Sequence, residues 1–100
     1  MNNFLKIVSA LNDETRIKLL KFISTYGRIC VCDLEISFNM IQSRLSRHLK
    51  ILKEAGFLEL NRQSRWSYYD IKKSENTFLN SSLKEINELQ LEIPQLKKAC

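Results

Sequence analysis

The sequence predicts a mainly α domain with a small β-hairpin wing, a winged helix-turn-helix in the order α-α-α-α-β-β-α, paired as a homodimer through its terminal helices. Three observations predict it. Apolar residues recur every three or four positions in five separate stretches, the signature of amphipathic helices. Only residues 57–72 break that period, with aromatic, β-branched and long apolar residues around a short polar turn. A length of 100 residues, 44% of them apolar, fits one hydrophobic core and a single domain over 1–100.

Phe4, Leu5, Val8 and Leu11 stand at helical spacing and predict a first helix ending near residue 11. Asn12 offers an N-cap oxygen to a second helix, and Asp13 and Glu14 place negative charge in its first turn. That helix runs to about Thr25, with either Ile17, Leu20 and Ile23 or Leu19, Phe22 and Ile23 facing inward, and Gly27 closes it. Cys30 to Phe38 reads as a short third helix with Val31, Leu34 and Phe38 on one side. After a turn, Ile41 to Ala55 is the most regular helix, its stripe being Ile41, Leu45, Leu49 and Leu52, and Gly56 ends it. Residues 30–55 thus form a helix-turn-helix. Phe57 to Arg62 and Trp66 to Ile71 form the two strands of the wing (57–72), joined by Gln63-Ser64-Arg65.

Leu79, Leu83, Ile86, Leu89, Ile93 and Leu96 place one stripe along a long last helix over 75–96, which Pro94 kinks or ends. A stripe of that length suits a partner helix. Together with the first helix, 1–11, it predicts a two-fold dimer, whose paired reading helices would meet half-sites about one DNA turn apart.

Composition excludes several classes. No run of about 18 apolar residues spans a membrane, and no secretory signal is visible, so a cytoplasmic address is expected. No Ser/His/Asp or Cys/His constellation and no phosphate loop support an enzyme, and the chain has one histidine. The net charge of +5 lies within residues 1–72, and 42–65 alone carry six Lys/Arg against two Asp/Glu. A basic focus of this kind points to nucleic acid.

The helix from Ile41 to Ala55 shows where that focus acts. Its inward stripe leaves Ser43, Ser46, Arg47 and Lys50 on the opposite face, with Gln42 and Arg44 in the first turn. Arg47 is the candidate for a bidentate contact to guanine and Gln42 for one to adenine. Lys50 and Lys53 would meet phosphate, and Arg62 and Arg65 on the wing would reach backbone or minor groove. His48, at the edge of the stripe, reads as a packed histidine or a phosphate contact. A charged face can also serve solubility alone; the turn, the preceding helix and the basic wing favour double-stranded DNA as partner.

Cys30 and Cys32 flank Val31 where the helix-turn-helix begins, and Cys100 closes the sequence. Thiolates are soft ligands for thiophilic ions, although two small cysteines can also simply pack in a core. In an α-helix each residue turns about 100°, so side chains two apart point nearly opposite ways. Both sulfurs can grip one ion only if the first turn is unwound or lies outside the helix. Binding there would pull on the element that holds the reading helix.

These features together resemble the ArsR (ArsR/SmtB) family of metal-sensing winged-helix repressors. The resemblance covers about residues 4–72. It rests on Leu11-Asn12-Asp13-Glu14-Thr15-Arg16, Cys30-Val31-Cys32-Asp33-Leu34, Ser46-Arg47-His48-Leu49, Leu52, Glu54-Ala55-Gly56, Arg65-Trp66 and Tyr68-Tyr69. Within the family the chain looks most like the arsenical-resistance operon repressors. That implies a homodimer on operator DNA, no permanent cofactor, and As(III) or Sb(III) as the inducer that releases it. Cys30 and Cys32 match the inducer thiols, and Gln42, Ser43, Ser46, Arg47 and His48 match reading-helix positions.

The departures sharpen this expectation. Some members have a third cysteine where this chain has Glu35, so the third thiolate falls to Cys100 or to a small cellular thiol, or is absent. Residues 1–29 hold no cysteine, unlike cadmium- and lead-sensing relatives, and no histidine stands on the last helix, unlike zinc sensors. Ile41 replaces the usual N-cap serine of the reading helix, and Ser64 the wing-tip glycine. The alternative function is a thiol-redox-responsive regulator of the same fold, in which oxidation of Cys30 and Cys32 replaces metalloid binding. A nucleoid protein would explain the charge but leave the cysteine pair without a role.

Overall fold

The computed structural model describes residues 2–99, and helices and hairpin follow in the predicted order. Helix α1 spans Asn2–Leu11 and α2 Glu14–Tyr26. The cap between them is Asp13 and not Asn12: the extended Asp13 accepts the Arg16 N–H at 3.0 Å, whereas the Asn12 N–H still donates to Ser9 at the end of α1. Gly27 ends α2 at φ +82°, a conformation open to glycine at little cost.

A short strand that helical periodicity did not reveal, β1 (Ile29–Cys30), precedes α3 (Val31–Phe38). Cys30 is therefore outside the helix, extended at its N-cap, and pairs with Tyr68. Strands β2 (Leu58–Gln63) and β3 (Trp66–Ile71) form the predicted hairpin, and the antiparallel sheet runs β1-β3-β2. Gln63 faces Trp66, so the wing turns on Ser64 and Arg65 alone, with Ser64 at φ +58°.

Helix α4 (Gln42–Glu54) follows α3 after Asn39, Met40 and Ile41. Leu45, Leu49 and Leu52 are buried as expected. Ile41 is not part of that stripe. As the extended N-cap it precedes the helical turn, and its side chain is 72% exposed.

The largest departure concerns the last helix. Helix α5 covers Thr77–Glu88, about half of the predicted 75–96. Its last turn carries Glu85 and Glu88 and no basic residue, which opposes the helix dipole, and Leu89 turns extended. Pro94 bars any resumption of the helix through its own position. The Lys21 ammonium donates to the Leu89 carbonyl, and residues 89–99 run back over their own domain. Leu79 and Ile86 join the core of the same chain and Leu83, Ile93 and Leu96 pack against it, so five of the six residues of the supposed dimer stripe are engaged within the chain and Leu89 is exposed.

The core joins Leu19, Leu20, Phe22 and Ile23 of α2 to Leu34, the α4 leucines, Phe57 and Leu58. Leu79 and Ile86 of α5 close one side, and Gly56, at φ +98°, leaves room for Leu79, whose Cδ1 would lie 3.3 Å from an added Cβ. Helix α1 contributes Ile7 and Ala10 to the core, while Phe4, Leu5 and Val8 of its predicted apolar stripe are exposed. Among the described residues no helix is long and apolar enough to cross a membrane.

Candidate nucleic-acid interface and thiol site

Helix α4 is pinned by its three leucines, and that fixes what it offers to solvent. Gln42, Ser43, Arg44, Ser46, Arg47, Lys50 and Lys53 are all exposed, as are Arg62 and Arg65 on the wing. Two arginines, Arg65 at the wing turn and Arg28 just before β1, rest on aromatic rings of the wing. The Arg65 guanidinium lies 5.1 Å from the Trp66 ring, and Arg28 lies 4.4 Å from Tyr68, contacts that hold a cation while leaving it facing outward. A cleft of about 530 Å³ is lined by Gln42, Ser46, Lys50 and Lys53 of α4, by Arg62 and Arg65 of the wing, and by Cys30, Cys32 and Glu35 of the α3 region. Four cations against one carboxylate make this cleft a place for phosphate.

His48 departs from its α4 neighbours. It is half-buried, with Nδ1 3.2 Å from the Arg16 guanidinium. Arginine has only donors, so Nδ1 accepts and the proton of the neutral ring sits on Nε2. Burial, with Arg16, Arg44 and Arg47 nearby, holds the His48 pKa below its ordinary value against the opposing pull of Asp13. Burial would raise the Asp13 pKa, but the Arg16 N–H and the charges of Arg16 and His48 bring it below the usual carboxylate value. Arg16, missed in the sequence, is the hub: Nε donates to Ala10 at 2.8 Å and Nη2 to Ser9 at 3.3 Å, tying the end of α1 to α4. Only its place three residues after Asp13, within the first turn of α2, could have signalled it.

The thiol pair is arranged as its spacing requires. Cys30 is buried in β1, ahead of the helix, and its Sγ accepts the Cys32 N–H at 3.4 Å. Cys32 is half-buried in the first turn of α3. Because Cys30 is not helical, the opposed projection of residues two apart in a helix does not apply. Both cysteines border the basic cleft and also a second one of about 350 Å³ with Asp33, Trp66, Tyr68 and Lys98. Two soft thiolates at one place suit a thiophilic ion. No cluster of three or more His, Cys, Asp or Glu that could hold a metal exists among the described residues, and Cys100 lies outside them.

Two further residues escaped the sequence reading. Asp33 and Ser37 face inward on α3, and both meet the backbone of residues 97–99. Two polar residues four apart beside Leu34 and Phe38 were the available sign.

Comparison with known proteins identifies the family and the fold. A family model described as bacterial regulatory protein, arsR family, matches residues 13–59. The chain is 40% identical over 75 residues to the arsenical resistance operon repressor of Bacillus subtilis (strain 168), a match covering 74% of this chain and 71% of that protein. It is 37% identical over 65 residues to the Escherichia coli (strain K12) protein of the same name, covering 65% of this chain and 56% of the relative. Reduced HlyU from Vibrio cholerae N16961 shares the fold, with a TM-score of 0.74 over 91% of this chain and 92% of that one, at 19% identity.

Proposed function

The chain belongs to the ArsR family of bacterial regulatory proteins and is a transcriptional repressor of that family, not an enzyme; from that premise we propose that it is a cytoplasmic repressor released from operator DNA by As(III) or Sb(III). The metalloid binds the thiolates of Cys30 and Cys32, with Cys100 as the third. One observation carries this reading: the thiol pair sits where β1 becomes α3 and lines the same cleft as basic residues of α4 and the wing. A ligand that draws the two sulfurs together acts on the backbone that supports α4, and a coupling of about 1–3 kcal/mol is enough to change DNA occupancy.

On DNA, α4 enters the major groove. Arg47 reads guanine and Gln42 adenine, while Ser43, Arg44 and Ser46 contact neighbouring edges or phosphates. Lys50, Lys53, Arg62 and Arg65 hold the backbone, and the His48 Nε2–H donates to phosphate. The DNA-binding unit is a homodimer. Its support is the exposed apolar set of Phe4, Leu5 and Val8 on α1 with Phe78 on α5, where Phe4 and Phe78 stack at 4.8 Å.

Gel shifts with a duplex selected from a random library by the protein itself test the reading. Sodium arsenite should release the duplex from wild type and not from a Cys30→Ser, Cys32→Ser double variant. Retention by wild type at arsenite levels that saturate the thiols would overturn the inducer assignment. Release by peroxide that a reductant reverses, with arsenite inert, would establish the redox alternative. Sedimentation as a monomer at micromolar concentration would remove the dimer.

A further inference from the structure

Asn39, Met40 and Ile41 join α3 to α4 in a turn whose backbone is held on both sides. The Asn39 N–H donates to Ile36 at 3.2 Å and the Met40 N–H to Glu35 at 3.0 Å, while the Ile41 carbonyl accepts the Leu45 N–H at 3.0 Å. Met40 packs against the core, whereas Ile41 is 72% exposed, more than any other large apolar side chain among the described residues. A single exposed isoleucine would mean little elsewhere. Here it stands at the N-cap, where serine, threonine, asparagine or aspartate would accept an N–H of the first turn, and Ile41 makes no such bond. Its φ of −67° and ψ of 151° are open to any residue, so the backbone does not call for isoleucine either.

We infer that Ile41 is a specificity-determining residue, reading the C5 methyl group of a thymine in the major groove. The inference deepens the operator-binding reading and rests on it. A helix-turn-helix sets its second helix in the major groove with the N-terminal residues of that helix against base edges. Ile41 leads that end of α4, ahead of Gln42 and Ser43. Arg44, Arg47 and Lys50 follow, with no acidic residue before Glu54, a charge pattern that suits a duplex. An isoleucine side chain neither donates nor accepts a hydrogen bond, so against most of the groove floor it strips water from polar base edges and returns nothing. The thymine methyl is the apolar group that the major groove presents. Contact with it buries apolar surface on both partners, so affinity favours T·A over the other pairs at the position beneath Ile41. The hydrogen-bonded turn behind Ile41 keeps the side chain at that one position.

The test uses the full chain and the duplex that it selects from a random library, with each thymine replaced in turn by uracil. That change deletes one methyl and keeps every hydrogen-bonding group of the base. At one position wild type should lose affinity about fourfold, as burial of one methyl-sized group implies. Ile41→Ser should bind the thymine and uracil duplexes equally at that position. Ile41→Val, which keeps a branched apolar side chain, should retain the preference for thymine. A uracil penalty at no position in wild type, or the same penalties in Ile41→Ser as in wild type, overturns the assignment of Ile41. Arg47→Ala, titrated in parallel, separates that failure from failure of the reading beneath it. Loss of affinity in Arg47→Ala with no effect of uracil overturns the role of Ile41 alone. Full affinity in Arg47→Ala together with no effect of uracil overturns the placement of α4 in the groove, and Ile41 with it. Selection of no duplex at all overturns both.

Discussion

Helices α3 and α4 meet at the short turn of Asn39, Met40 and Ile41, yet their polar residues face opposite ways. Helix α4 buries Leu45, Leu49 and Leu52 and turns nearly every polar side chain outward. Helix α3 buries Leu34 together with Asp33 and Ser37. The difference separates two tasks. A reading helix has to be held rigidly by groups that have no part in recognition, so its outer face can be chosen for DNA alone. On the proposed function α3 is the sensing helix, linked to something that changes, and part of its inner face is polar and engages residues 97–99.

The largest expected effect tests the first half of that contrast. Leu49→Ala should lower the unfolding free energy by about 2–5 kcal/mol, because a fully buried leucine leaves a cavity. Arg47→Ala, two residues away and exposed, should change stability by less than about 0.5 kcal/mol. Its cost should appear in operator affinity, at about 1–3 kcal/mol, or roughly 5- to 150-fold. Urea unfolding and binding titrations at fixed salt measure both. A large stability loss in Arg47→Ala would mean that the two faces of α4 are not independent.

The same contrast explains what was legible in the sequence. Helix α4 could be read because apolar periodicity reports burial, and burial there is purely apolar. The wing could be read because its composition changes abruptly after Gly56. The strand at Ile29–Cys30 could not, since two residues carry no period and the pairing with Tyr68 and Tyr69 is long-range. Residues 89–99 were misread for a different reason. Leu89, Ile93 and Leu96 continue the helical spacing of α5, but a stripe states only that side chains are buried. Ile93 and Leu96 meet their own core from a segment without regular secondary structure, while Leu89 stays exposed. Polar residues on an inner face, as in α3, are what periodicity handles worst, because they lower the apolar signal where contact is closest.

A smaller effect is expected at the junction of the two helices. Ile41 caps α4 with no side-chain acceptor and exposes most of its surface. Ile41→Ser supplies an oxygen for an unpaired N–H in the first turn and should stabilise the domain by about 1 kcal/mol, read as a higher urea midpoint at unchanged slope. No gain would indicate that the N–H groups of that turn are already well satisfied by water. Since the change lies outside the buried face, Cys30 and Cys32 should keep their alkylation rates.

The smallest effect concerns the α4 residue that behaves like those of α3. His48 is half-buried against Arg16 and held below its ordinary pKa by burial and by neighbouring cations. The unfolded chain takes up that proton at about pH 6.5, and the folded chain only at lower pH. Between those values the unfolded state binds more protons, so stability falls as pH drops through about 6.5 and levels off below the folded pKa. Asp13, with its folded pKa below the ordinary 3.8, loses its stabilising contribution in a separate, more acid window. Melting temperatures of wild type and His48→Gln should therefore diverge between about pH 7.5 and 5.5, wild type declining the more steeply. Parallel curves would show that the Arg16–His48 contact does not exclude the proton, and would return His48 to the outward-facing set with Arg47.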